Sequence, residues 1–289
     1  MGSSFITVQW SDQAISQLNR LTVIENKMSS VSDNKDYYEN YDWSTAGEEW
    51  SAPWGGTRSM WLTSIFPRIG QFLPTDRIVE IGCGHGRIAK VLHAFAASEL
   101  VLFDIVDDCV EKCAQVFEGS SKTRCLKTDG RSLQGVANNS VDLVFSFYSL
   151  AGADADTIEA YLQECGRVLR ENGAAFLHHS NAGMYYQDEN TQIDKRMRLL
   201  AAYRDVSIDA TRVQDMAGEN NLLCIKQECI NWDIEEVLSD CFSTLVRPDS
   251  KWAQEPLLVH NPEFYNERKL AAKRIHEMRT RTDESWGIL

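Results

Sequence analysis

The chain has 289 residues, with 29 basic against 42 acidic side chains for a formal charge of −13, and 43% of its residues are hydrophobic. That apolar share excludes wholesale disorder, and the length fits one large domain or a domain with appendages. The acid excess argues against the basic stripe that holds nucleic acid or an anionic membrane surface regardless of sequence.

Residues 1–50 are polar and irregular in pattern, yet Trp10, Trp43, Trp50, Trp54 and Trp61 place five of the eight tryptophans in the first 61 residues. A dispensable tail has no reason to be so aromatic. Residues 1–70 are therefore expected to fold back over the main domain, either as a lid or as a helix packed on the core. The start of the chain lacks the basic and apolar regions of a secretory signal, and no apolar run is long enough to span a membrane. The eight cysteines are scattered through apolar stretches rather than arranged as a disulfide framework. A soluble, reduced, cytoplasmic protein is the expectation.

From Arg77 the pattern turns regular. Arg77 to Gly82 reads as a buried strand, and Ile88 to Ala97 has helical spacing. Leu100 to Asp104 is a second strand, followed by a helix from Cys109 to Phe117; Cys109 and Cys113 share a face there and read as buried thiols rather than metal ligands. Cys125–Asp129 and Val141–Ser146 are the third and fourth strands. An amphipathic helix over Ile158–Leu169 stops at Asn172-Gly173, and Ala174–His179 is strand five. Strands alternating with helices imply a parallel sheet with right-handed crossovers. Beyond it come a basic helix at Thr191–Tyr203 bordered by Arg204, a helix at Asp209–Glu219 capped by Ser207 or Asp209, and strands at Leu222–Ile230 and Cys241–Val246 flanking a short acidic helix. A charged terminal helix spans Asn261–Thr280.

The segment Glu80-Ile81-Gly82-Cys83-Gly84-His85-Gly86 carries the strongest signal. Its glycines let the chain turn sharply out of strand one and approach a ligand closely. A dinucleotide fingerprint needs glycine at position 87, where this chain has Arg87, so an NAD(P)-dependent oxidoreductase is disfavoured. Glu80, Asp104 and Asp129 fall at the carboxyl ends of three consecutive strands, where open α/β sheets bind ligands. Asp104 is placed for ribose hydroxyls, and Asp129 for an exocyclic amine of adenine.

These segments, with Leu102-Phe103-Asp104-Ile105, Lys127-Thr128-Asp129-Gly130, Val141–Ser146 and Arg167-Val168-Leu169-Arg170-Glu171-Asn172-Gly173-Ala174, resemble the class I S-adenosylmethionine-dependent methyltransferases. The likeness covers residues 75–182 well and fades towards 247. It implies a Rossmann-like, doubly wound α/β fold: a seven-stranded sheet, mostly parallel with one antiparallel strand, plus N- and C-terminal helical additions. It divides the chain into an aromatic N-terminal segment over 1–70, a methyltransferase domain over 71–250 with a substrate-side insertion at 183–220, and a C-terminal loop and helix over 251–289. It also implies S-adenosyl-L-methionine as cofactor, with S-adenosyl-L-homocysteine as product. Gly82 and Gly84 would lie against its amino-acid part, Asp104 and Ile105 by the ribose, Asp129 and Gly130 by adenine, and Ser146 by the methionyl amine. A finer similarity, at Leu177–Asn181 and Gln227–Trp232, points to bacterial small-molecule methyltransferases of glycan and natural-product pathways.

Methyl transfer from a sulfonium is an in-line displacement, which mainly needs alignment and exclusion of water. A sugar hydroxyl also needs a general base. His178 and His179 close strand five on opposite faces, so at most one of them faces the crevice; His179, further along, is the first candidate and His178 the second, and the alternative is that both only hydrogen-bond within loops. Acceptor contacts are expected from Trp54, Arg58, Tyr148, Asn181 and Tyr185. Strand ends four and five lack the carboxylates that a metal-dependent route uses, so no metal is expected. The reading is O-methylation of a small polar molecule, a sugar or glycan precursor, with N-methylation or a non-sugar natural product as the alternative. A non-catalytic binding module is the reading from a different class. The sequence does not give the oligomeric state.

Overall fold

The computed structural model describes residues 30–186, 203–232 and 237–281. Eight strands form a single sheet: β1 (Thr75–Ile81), β2 (Ala96–Asp104), β3 (Thr123–Lys127), β4 (Val141–Leu150), β5 (Leu169–Ser180), β6 (Leu223–Ile230), β7 (Asp240–Val246) and β8 (Leu257–Asn261). Their spatial order is β3-β2-β1-β4-β5-β7-β6-β8. β7 runs antiparallel to both its neighbours, and the remaining pairings are parallel. The expected seven strands are thus corrected to eight, because Leu257–Asn261 adds an edge strand beyond β6 where the sequence pattern suggested only a loop. The single antiparallel strand stands.

Side-chain alternation builds two cores. Ile78, Leu100, Leu102, Leu143, Phe145 and Phe176 point to one face of the sheet. Val79, Val101, Phe103, Val144, Ala175 and Leu177 point to the other. On the first face lie a helical run from Thr57 to Phe72 and residues of the final helix, including Phe264 and Ala271. The second face is covered by Ile158, Tyr161, Leu162 and Cys165 from one helix, and by Val213, Met216 and Ala217 from another.

Six longer helices can be numbered along the chain: α1 (Val31–Glu39), α2 (Ala89–Phe95), α3 (Asp107–Val116), α4 (Ala155–Val168), α5 (Ala210–Glu219) and α6 (Phe264–Arg281). Local chemistry sets their starts. Ser30 accepts the Asp33 N–H while the Asp33 carboxylate takes the Ser30 N–H, a reciprocal cap for α1. Asp154 caps α4 and Asp209 caps α5. α4 gives way directly to β5 at Leu169, so Asn172-Gly173 is not the helix stop: it lies in a register irregularity inside the strand. Asn261, expected to open the last helix, closes β8, and α6 begins at Phe264.

The two ends of the described chain meet on the first face. Trp54 is fully buried, donates to Ser64 Oγ at 2.7 Å, and packs against Trp232 and Phe264. The Arg268 guanidinium from α6 lies 4.9–5.3 Å from the rings of Trp54, Trp232 and Tyr265. Arg68 makes a paired contact with Glu228, its Nε at 2.8 Å, and so ties the Thr57–Phe72 run to β6. Trp10 and the expected basic helix at Thr191–Tyr203 lie outside the described residues, apart from Tyr203 itself. The acidic segment between β6 and β7 falls partly outside them.

Candidate functional site

A cavity opens at the carboxyl ends of β1, β2 and β4. Its floor is the turn that leaves β1. Gly82 takes φ +73°, in the left-handed region, and a Cβ there would stand 2.2 Å from the Ser149 Cβ. Gly84 takes φ +52°, and a Cβ there would meet the Trp43 ring at 3.1 Å. Glycine at 82 and 84 therefore answers both to the backbone and to the lack of space.

Two carboxylates face this turn. Asp104, closing β2, accepts the Gly84 N–H at 2.8 Å and the Val106 N–H at 3.0 Å, which ties the glycine turn to the second strand. Burial holds its pKa above the ordinary carboxylate value against those hydrogen bonds. Glu80 is buried, and its Oε2 has no hydrogen-bond partner. Burial pushes Glu80 well above the usual carboxylate range, while Arg87 acts in the opposite sense. Ile105 and Gly130 complete this side together with Thr128, which the sequence reading did not single out.

Two expected positions depart from the cavity. Asp129 is exposed and turned into its own loop, where its Oδ1 accepts the N–H groups of Arg131 at 2.9 Å and Ser132 at 2.8 Å. Burial works against its charge, but those hydrogen bonds hold its pKa below the usual value. Thr128 and Gly130, on either side, line the cavity instead. Ser146 is fully buried and spends its hydroxyl on Ser149 Oγ at 2.7 Å, so Ser149, with Phe147 and Tyr148, forms the wall.

The N-terminal segment roofs the cavity. Val31, Asn34 and Tyr38 of α1 line it, followed by Trp43, Ala46 and Trp50. Trp43 stacks on His85 of the glycine turn, with ring centroids 4.4 Å apart and planes 17° from parallel. It also donates its indole N–H to the Tyr38 carbonyl at 3.0 Å. Trp50 meets Trp43 edge-on at 5.4 Å and Tyr148 at 6.1 Å, giving a continuous aromatic wall. Arg87 lies 5.9 Å from the Trp50 ring, in the field of Glu48, Glu49 and Glu80. The tryptophan density signalled this roof in the sequence; Tyr38 carried no such signal. Arg87, read as the residue that breaks a dinucleotide fingerprint, proves to be part of the lining.

The histidines of β5 do not reach the cavity. His179 is fully buried, with Nδ1 2.7 Å from the Ser180 carbonyl and Nε2 2.8 Å from Ser243 Oγ. Burial lowers its pKa to about 4. His178 is equally buried: its Nδ1 accepts the Tyr148 N–H at 3.1 Å and its Nε2 lies 2.8 Å from Asp240 Oδ1. The expectation that either ring faces the crevice as a base is corrected. β5 continues in register with β7 as far as Ser180–Asp240, so both histidines stay inside the sheet.

Most of the expected acceptor contacts are elsewhere too. Trp54 belongs to the first core, and Arg58 is exposed and outside the lining. Asn181 accepts the Ala210 N–H at 2.9 Å and donates to the Leu238 carbonyl at 2.8 Å, which fixes the start of α5. The Tyr185 hydroxyl accepts the Leu238 N–H at 2.9 Å. Tyr148 alone of that group lines the cavity. His85 does so as well, its Nε2 3.0 Å from Asp108.

This donor set fits a cationic, ribose-bearing cofactor. An unpartnered buried carboxylate oxygen at Glu80, a buried Asp104 beside the turn, and a floor that a Cβ at Gly82 would fill suit an ammonium, a ribose and a closely approaching chain respectively. S-adenosyl-L-methionine supplies an electrophilic methyl group on sulfur; this chain supplies the turn, the two carboxylates and the aromatic roof that would exclude water.

Comparison with known proteins agrees. Residues 78–173 match a family model described as a methyltransferase domain. A search of curated proteins finds none that matches the sequence. Among solved structures, the PH0226 protein of Pyrococcus horikoshii is similar with a TM-score of 0.50 at 16% identity, over 74% of this chain and 99% of that one. A SAM-dependent methyltransferase of Leishmania major is similar with a TM-score of 0.53 at 14% identity, over 74% of this chain and 82% of that one. At these identities the likeness is one of fold.

Proposed function

We propose, from the methyltransferase-domain match over residues 78–173, that the chain is a class I S-adenosylmethionine-dependent enzyme that methylates a small polar, ring-bearing molecule held against the wall of Tyr38, Trp43, Trp50 and Tyr148. The observation that carries the reading is this continuous aromatic wall, which closes over the glycine turn at Trp43 and His85. Aromatic faces suit a sugar ring or a flat natural product. Glu80, Gly82, Gly84, Asp104, Ile105 and Gly130 are the cofactor contacts we assign, joined by Thr128 and by the Tyr148 ring, which we assign to cofactor and acceptor alike. We assign residues 1–70 as the segment that completes the site and 71–250 as the catalytic domain. The net charge of −13 argues against nucleic acid as the acceptor.

The acceptor atom follows from the proton inventory. A hydroxyl must give up its proton as the new bond forms, whereas an amine attacks through a lone pair and needs less help. With His178 and His179 held inside the sheet, O-methylation of a glycan precursor loses the base first expected for it. That observation favours the second reading, N-methylation of a ring-bearing amine.

Thermal unfolding with S-adenosylhomocysteine or NADH tests the premise: stabilisation by the former alone is expected, and none by it would sink the reading. Transfer of labelled methyl to sugar and amine panels then separates the two acceptor classes. Trp43→Ala should weaken S-adenosylhomocysteine binding about tenfold, the order of one lost aromatic contact. Unchanged affinity would remove the roof from the site.

A further inference from the structure

The pairing of β4 with β5 shifts register twice, and the second shift lies at its carboxyl end. Ser146 pairs with Leu177 and Leu150 with His179, so Phe147, Tyr148 and Ser149 stand opposite His178 alone. Within this bulge Tyr148 takes φ +72°, a left-handed conformation that a bulky aromatic residue rarely adopts. Its N–H has left the ladder and must find another acceptor inside the protein. It finds the imidazole Nδ1 of His178, at 3.1 Å.

That bond fixes the chemistry of the ring. Nδ1 accepts a hydrogen bond, so it carries no proton, and the proton of a neutral imidazole sits on Nε2, which donates to Asp240 Oδ1 at 2.8 Å. The same oxygen accepts from Arg204 Nε at 2.8 Å, and Asp240 Oδ2 accepts from Ser239 Oγ at 2.5 Å. Arg204 returns to the start of the chain of contacts: its guanidinium carbon lies 5.5 Å from the Tyr148 ring centroid. Phe147, Trp232 and Phe242 pack around the imidazole. Arg204, Asp240, His178 and Tyr148 thus form a closed loop, buried except at the cavity, where Tyr148 belongs to the wall.

We propose that His178 is a positioning residue: with Asp240 and Arg204 behind it, it holds the bulge of β4 so that the Tyr148 ring forms the cavity wall. This rests on the methyltransferase reading for the identity of the ligand, and on the geometry alone for the role of the imidazole. His178 has no lone pair to offer a substrate while it accepts the Tyr148 N–H.

Two substitutions separate the two bonds of the ring. His178→Asn keeps an oxygen near the position of Nδ1, for the Tyr148 N–H, and gives up the reach to Asp240. His178→Gln keeps a donor for Asp240 and gives up the acceptor for Tyr148. Binding of S-adenosylhomocysteine by calorimetry is expected to weaken about tenfold in His178→Gln and only two- to threefold in His178→Asn, the scale of a lost hydrogen bond against a retained one. Tyr148→Ala should match the Gln variant, and the double variant should bind no more weakly than Tyr148→Ala. Equal affinities for Asn and Gln, or additive losses in the double variant, would overturn the proposal.

Nitrogen NMR of histidine-labelled wild-type protein needs no ligand and no variant. It should show His178 as the neutral Nε2–H form, unchanged between pH 5.5 and 8.5. A ring that titrates in that range, or carries its proton on Nδ1, overturns the assignment even where the Gln variant fails to fold. If wild type does not bind S-adenosylhomocysteine, the methyltransferase reading fails, and the NMR result still decides the role of His178.

Discussion

Replacing Gly82 by alanine tests whether the glycine turn is fixed by space as well as by dihedral angle. At φ +73° an L-residue costs about 1–2 kcal/mol relative to glycine. The new methyl would also stand 2.2 Å from Ser149 Cβ, and that serine cannot swing away freely, because its hydroxyl donates to the Ile81 carbonyl at 2.7 Å and lies 2.7 Å from Ser146 Oγ. Relieving such an overlap costs about 1–3 kcal/mol. The two effects together come to about 2–5 kcal/mol, or a fall in Tm of roughly 4–20 °C at about 2–4 °C per kcal/mol. Scanning calorimetry of Gly82→Ala, Ser149→Gly and the double variant separates them. Ser149→Gly removes the overlap but not the dihedral cost, so the pair should show a favourable coupling of about 1–3 kcal/mol. A Gly82→Ala protein that melts with wild type, or a strictly additive cycle, would refute the steric half of the argument.

Two further predictions concern protons. His179 is buried with its pKa lowered to about 4 against 6.5 for the free side chain. The unfolded chain therefore takes up a proton that the folded one refuses; stability is full above pH 6.5 and declines as pH falls towards 4, by about 3 kcal/mol at most. Denaturant titrations of wild type and His179→Gln across that window should converge at low pH, and parallel curves would exclude His179 as the cause. Glu80 has the opposite sense, since the folded, empty protein keeps its carboxyl proton well above pH 4.5. As pH rises past 4.5 the unfolded chain loses that proton first and stability drops, whereas a bound ammonium reverses the effect by favouring the carboxylate. Binding of S-adenosylhomocysteine should then release a proton, seen as a binding enthalpy that depends on the buffer. Glu80→Gln should abolish that dependence, and a buffer-independent enthalpy in wild type would count against the assignment.

How much of this was legible in the sequence depended on whether a local pattern or a distant partner decided the outcome. β1 to β5 came from apolar runs that the parallel sheet buries on both faces, and the glycine turn came from its spacing. β8 escaped because Leu257, Leu258 and His260 are exposed on an edge strand and show no alternation of burial. The run from Thr57 to Phe72 escaped because a π-turn and a 3₁₀ turn interrupt its period. At the site, Glu80, Gly82, Gly84, Asp104 and Ile105 follow from strand ends, and they line the cavity. His179 failed on the same rule, since the end of a strand borders a crevice only where its partner also ends, and β7 accompanies β5 to Ser180. Asp129 is outside the lining, its Oδ1 taken by two backbone N–H groups of its own turn. Trp54 sits four residues past Trp50 in a tryptophan-rich stretch; one became core and the other wall, a distinction set by Phe264 and Arg268 more than 200 residues away.

That arginine box has a mechanical consequence. Trp54 works as a rivet: it joins the root of the N-terminal segment to α6 and to Trp232 just past β6, and none of its holding contacts comes from the cavity. The roof therefore hangs from a fixed point that is indifferent to ligand. The grip of the roof on the glycine turn lies further out, at Trp43 on His85. Anchorage and contact are separate along the chain, as the hinge and latch of a door are, and loosening the latch leaves the hinge in place.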